Sequence, residues 1–163
     1  MAEAAIRFLD SLNAEQEAAV RFPFDGEDRF DWHFIPRERK GVPLKAMTGS
    51  QRATALDLVR TGLSEDGFTK AEVIRQLEQI LFELEGRAIR DPDLYFFMVF
   101  GEPSDTGTWG WRYEGHHISQ HRLPFDDQEI FLRHLPLHAR PHLHELSLQA
   151  LRQARKRAPD QIP

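Results

Sequence analysis

Leu94–His121 reads LYFFMVFGEPSDTGTWGWRYEGHHISQH, and the fold class turns on how its two apolar halves are read. Leu94–Phe100 is seven apolar residues in a row. Pro92 of RDPDL bars a helix from running into it, and so short an aromatic run reads as a buried strand. Gly101–Gly107, GEPSDTG, is a cluster of turn formers. A connection this short cannot carry a parallel crossover, so the chain from Trp109 is predicted to return antiparallel to the first strand.

WGWRYEGHHISQH places two tryptophans, a tyrosine, an arginine, a glutamate and three histidines within thirteen residues. If Trp109–His121 is one strand, its side chains alternate between two faces. Trp109, Trp111, Tyr113, Gly115, His117 and His121 point one way, and the aromatic half of that row is the expected core face. Arg112, Glu114 and His116 point the other way as a charged row, with neighbours about 6.6 to 7 Å apart. Side by side on a regular strand, His116 and His117 cannot reach one ion, and His117 and His121 would stand ~13 Å apart against metal bonds near 2 Å. Two histidines turn to one side only if the strand breaks, and Gly115 is where a bulge costs least.

An arginine, a glutamate and a histidine in one row offer an anion clamp, a general base and a proton carrier. Glu114 and His116 are therefore read as the proton-transfer pair. Arg112 is the anion anchor, and Trp109 a wall that keeps water out and lines the substrate. A solvated polar face is the plain alternative. His33 in FDWHFIPRERKG, flanked by Arg37 and Arg39, is read as lining the same pocket, with Arg37 on the substrate and His33 joining His116 and His117 as a metal ligand. A surface histidine beside a basic turn is its ordinary counterpart.

Working outward, two helix starts carry capping boxes: Asn13 with Gln16, and Thr48 with Gln51. The second opens a helix to about Arg60, with Ala55, Leu58 and Val59 on one side and Gly62 after it. Thr69 with Glu72 is read as the start of a further helix. Val73, Ile74, Leu77, Leu81 and Leu84 form its apolar stripe before Gly86 stops it. Between Arg21 and Leu44, Phe30, Trp32 and Phe34 alternate with Asp31 and His33, as in a strand or an ordered loop. Helices followed by a hairpin give an α+β protein: N-terminal helices packed on a small antiparallel sheet, with a C-terminal helical tail. The division expected is a domain over 1–125 and a histidine-rich tail over 126–163, which closes in a basic amphipathic helix from His142 to about Arg157. His134, His138 and His142 in that tail are spaced like ligands on a helix, but Pro136 and Pro141 interrupt it.

The chain has 163 residues, enough to bury a core as a single domain. Its net charge of -5 leaves no basic excess to hold nucleic acid. With no cysteine, thiolate metal sites and a cysteine nucleophile are out, so a metal would rest on histidine and carboxylate. Seven apolar residues fall far short of the roughly 20 that a membrane-spanning helix needs. MAEAAIRFLDSLNAEQ lacks the basic leader and unbroken apolar run of a signal peptide, so a cytoplasmic location is expected.

Four stretches carry a family resemblance: WHFIPRERKGVPLKAM, QRATALDLVRTGLSEDGFTK, RDPDLYFFMVFGEPS and above all WGWRYEGHHIS. Over about Arg29 to Ser119 the chain resembles a bacterial family known only as a domain of unknown function, number thirty-five hundred. The resemblance implies no reaction and no catalytic residues. It also implies a longer chain with further strands past the histidine doublet, so this protein reads as a shortened member.

Together these residues point to a metal-assisted or acid/base enzyme acting on a small polar or anionic substrate through the Arg-x-Glu-x-His-His segment. A divalent transition metal is the cofactor that its histidines would suit. One rival is a non-catalytic module that binds a ligand or a protein. The other is an inactive truncated relative that oligomerises to cover an unfinished sheet edge.

Overall fold

The computed structural model describes residues 1–31, 33 and 37–122. The expected tail over 126–163, its helix from His142 and its histidines lie outside the described residues, as do Trp32 and Phe34. Four helices, α1 (Ala2–Asp10), α2 (Ala14–Val20), α3 (Gly49–Thr61) and α4 (Glu65–Glu85), accompany five strands: β1 (Arg21–Phe22), β2 (Val42–Pro43), β3 (Phe96–Phe100), β4 (Gly110–Glu114) and β5 (Ser119–Arg122).

Both capping boxes form. Asn13 caps α2 and Thr48 caps α3, each with its reciprocal glutamine bond. The two boxes also clasp each other, because Gln51 Nε2 donates to Gln16 Oε1 at 2.8 Å and to the Ser11 carbonyl at 2.8 Å. One side chain thus closes a helix start and ties α3 to the α1–α2 corner. Gly62 follows α3, and Gly86 ends α4 in the left-handed conformation at φ 66°, both as the sequence reads.

Two expectations for α4 change. It begins a turn earlier than Thr69, capped by Ser64, whose hydroxyl accepts from the Gly67 N–H at 3.1 Å. Its apolar stripe is only partly packed: Val73 is 53% and Leu84 56% exposed and Ile74, Leu77 and Leu81 are half-buried, while Phe68, Ala71 and Glu78 are the buried positions. The periodicity identifies a helix correctly. It does not say which face packs, because a paired glutamate can occupy the inner side.

β3, β4 and β5 form the expected antiparallel meander, with Phe97 opposite Tyr113 and Glu114 opposite Ser119. The sheet as a whole is mixed rather than antiparallel. β1 pairs with β3 in parallel, Arg21 opposite Val99, and β2 continues along the same edge in the antiparallel sense, Val42 opposite Phe97. A parallel pair needs a long connection, and the chain between β1 and β3 includes both α3 and α4.

Each face of the sheet is covered by different material. Tyr95, Phe97, Val99, Trp109, Trp111 and Tyr113 join Phe8, Ala55, Leu58 and Val59 of the helices in one core, with Phe8 and Phe97 ring centroids 5.3 Å apart. The aromatic row therefore faces the core, as its alternation predicts. Against the other face lie Asp28, Arg29 and Gly41. Arg112 Nη1 donates to the Asp28 carbonyl at 2.9 Å, and Nη2 lies 2.9 Å from Met98 Sδ. Gly41, at φ 91°, lies so close to β3 that a Cβ would stand 2.3 Å from the Phe97 carbonyl oxygen. Only glycine fits there.

Candidate functional site

The strand that begins at Trp109 does not run on to His121. It stops at Glu114 and turns back at Ser119, so His116 and His117 form the tip of a hairpin, with the Gly115 N–H donating to the Ile118 carbonyl at 2.9 Å. The residue at positive φ is His117, at 65°, and not Gly115. No bulge is needed to bring the two histidines together. The turn stacks their rings at a centroid distance of 3.5 Å, 35° from coplanar.

Gly115 serves a different purpose. A Cβ there would stand 2.5 Å from Tyr95 Cδ1, against a ring that is 0% exposed. The Tyr95 hydroxyl donates to the His116 carbonyl, and Arg39 Nη2 donates to the Gly115 carbonyl at 3.1 Å and to the His33 carbonyl at 2.7 Å. Residues from two distant parts of the chain thus hold the tip.

The His116 imidazole meets a partner that the strand pattern does not show. Its Nδ1 is in short hydrogen-bond contact with Oε1 of Glu78, which is 1% exposed, on α4. Arg90, just past α4, places Nη1 2.9 Å from Nδ1 and 3.2 Å from Nε2, nearly equidistant and so aimed at neither lone pair. Its Nε donates to Glu85 Oε2 at 2.9 Å, which holds the guanidinium in place and the Glu85 carboxyl below its ordinary range. Ala71, Glu78 and Glu85 recur every seven residues on one side of α4. That spacing was the available signal for a polar inner face, and the more apolar stripe opposite obscured it.

Glu78 and His116 line a pocket of about 170 Å³. Ile89, Leu94, Tyr95 and Phe96 supply its apolar wall, and Arg37, Glu38, Arg39 and Asp91 complete it. Most of these charges already have partners: Arg37 bonds Asp31 at 2.7 Å, and Lys45 bonds Asp91 at 2.8 Å. The Arg37 bond also holds the Asp31 carboxyl below its ordinary range.

Glu114 and Arg112 are not a solvated row. Each side chain is 2% exposed, and Glu114 Oε1 lies 3.4 Å from Arg112 Nη2 and 3.9 Å from Arg39 Nε. Burial raises the Glu114 carboxyl, and the two guanidinium groups pull the other way. This is a buried Arg–Glu–Arg cluster, and the structure does not place Glu114 or Arg112 among the groups lining the His116 pocket. Trp109 lies in the core with its indole N–H on the Ser104 carbonyl at 2.8 Å. Arg37 does line the pocket. His33 lies 3.4 Å from Asp31, half exposed, and only its carbonyl connects it to the tip through Arg39. Among the described residues no three His, Cys, Asp or Glu side chains are grouped to hold a metal ion, so His33, His116 and His117 do not form one ligand set. Burial pushes His117 down to about 4, helped by His116 and Arg90 beside it, and His121 down to about 3, helped by Arg112 and Arg29.

The family profile described as protein of unknown function (DUF3500) matches residues 1–147. The chain belongs to this family. The match takes in every described element, so α4, the hairpin tip and the pocket all fall within the DUF3500 region. Neither the curated proteins nor the solved structures contain a match to the chain. Among the described residues of this DUF3500 protein no helix is long and apolar enough to cross a membrane.

Proposed function

We propose that this DUF3500 protein is an acid/base enzyme for a small polar substrate, with His116 as the proton-transfer group and Glu78 as its orienting partner. The observation that carries the reading is the Glu78–His116 contact at the wall of an apolar pocket. A carboxylate that accepts from Nδ1–H selects the tautomer that carries its lone pair on Nε2, and it stabilises the imidazolium once a proton arrives. Arg90, fixed by Glu85, adds a positive charge beside the ring for an oxygen on which negative charge develops. Tyr95 and Arg39 hold the backbone of the tip, so the imidazole position is set by rigid elements.

The test is a screen in D2O of small hydroxy esters and hydroxy ketones, following hydrolysis and C–H exchange by NMR, with His116→Gln as the matched control. Turnover lost in His116→Gln and reduced at least about a hundredfold in Glu78→Gln is expected for an oriented acid/base pair. Turnover equal in wild type and His116→Gln overturns the assignment. A binding module is the second reading, favoured by the ion pairs that already neutralise Arg37 and Asp91. It requires saturable binding with no reaction dependent on His116.

A further inference from the structure

Glu78 uses only one of its two oxygens. Oε1 takes the His116 contact, whereas Oε2 is buried without a hydrogen-bond donor among the described residues. A buried carboxylate oxygen carries a large cost unless something donates to it. Among the described residues the cation paired with Oε2 is Arg90 Nη1, at 4.0 Å, beyond hydrogen-bond range. That gap has a definite chemistry. A single oxygen atom about 2.8 Å from both can donate its hydrogen to Oε2 and accept from Nη1. We infer that this position takes the hydroxyl group of the substrate, and that the substrate class is a compact neutral alcohol whose apolar body lies against Ile89, Leu94 and Phe96.

Charge and size narrow the choice further. An ammonium group would donate to Oε2 but meet the Arg90 guanidinium at close range, and a carboxylate would meet Glu38, Glu78 and Asp91. A neutral O–H meets neither objection. A cavity of about 150 Å³ is enough to hold a benzene ring. The pocket here, about 170 Å³, therefore admits a six-membered ring or a branched chain with one or two further atoms. The inference rests on the acid/base reading only for the chemical step after binding, since an alcohol at this position sets its O–H beside the Glu78–His116 pair.

Binding of matched probes to the whole protein tests it. Benzyl alcohol, anisole and benzylamine share one size and differ in the donor: a neutral O–H, none, and an ammonium. Titrations are followed through the backbone amides of Tyr95, Phe96 and Gly115 by NMR. Benzyl alcohol is expected to bind at least about tenfold more tightly than either of the others, as a hydrogen bond to a charged acceptor requires. Glu78→Gln places an N–H donor where Oε2 stands and is expected to erase or reverse the preference for alcohol over anisole. If that variant does not fold, the wild-type ranking decides alone. Anisole binding as tightly as the alcohol, or benzylamine binding best, overturns the inference. So does the absence of any shift at these amides, which would leave water as the partner of Oε2. An alcohol preference without any reaction dependent on His116 leaves this inference standing and removes the enzyme reading. A His116-dependent reaction on substrates that lack a donor does the reverse.

Discussion

Gly115→Ala is the sharpest perturbation of the hairpin tip, because the position is limited by space alone. Its φ is not positive, so the added methyl strains no backbone preference. The methyl instead meets Tyr95 Cδ1 at 2.5 Å and Cε1 and Cγ at 2.7 Å, well inside contact distance, against a ring packed 5.6 Å from Tyr113. Overpacking of this kind costs ~1–3 kcal/mol. If the ring moves to relieve it, the Tyr95 hydroxyl leaves the His116 carbonyl, for about 1 kcal/mol more. Urea denaturation should therefore show a loss of about 2–4 kcal/mol with an unchanged slope. The clash also predicts coupling. In a double-mutant cycle with Tyr95→Leu, which removes the ring edge, the second Gly115→Ala step should cost less than the first by at least about 1 kcal/mol. A single-variant loss under about 0.5 kcal/mol, or strict additivity in the cycle, refutes the steric account.

Trp111→Ala removes a side chain that is 1% exposed and should cost ~3–5 kcal/mol, read from the denaturant midpoint. Glu114→Gln should destabilise by about 3–5 kcal/mol by the same measure, since it leaves Arg39 and Arg112 buried around a neutral amide; a loss below about 1 kcal/mol would show that the cluster is not held by charge. His117 and His121 bind protons less readily in the fold than in the unfolded chain, so the unfolded state takes up more protons below about pH 6.5. Stability contributed by His117 should be full above pH 6.5 and fall progressively towards pH 4, and His117→Gln should flatten the pH dependence of the melting temperature in that window. Leu84→Lys, at a position 56% exposed, should shift stability by no more than about 0.5 kcal/mol; a loss above about 2 kcal/mol would restore the apolar stripe of α4 to a packed role.

Features set by short-range physics could be read from the chain alone. The capping boxes at Asn13 and Thr48, the helix stop at Gly86 and the antiparallel return of Trp109 after GEPSDTG all depend on groups a few residues apart, and each was legible. The inward direction of Trp109, Trp111 and Tyr113 followed from alternation, since an aromatic row has only one low-energy place to go. His116 and Arg37 were singled out as site residues, and both line the pocket. Tertiary structure decided the rest. Nothing local says that Arg112 and Glu114 are buried, because burying a charge becomes tolerable only once Arg39 and the Asp28 carbonyl arrive from far along the chain. Glu78 and His116 are 38 residues apart, and their contact sets a carboxylate at the most buried side of α4, while Ile74, Leu77 and Leu81 of its hydrophobic stripe are only half-buried. Periodicity records the sum of apolar contacts a helix offers, whereas the face that packs is chosen by partners on other elements. A buried carboxylate matched to a histidine and an arginine can outweigh the exposed Val73 and Leu84, and that match exists only in the folded chain.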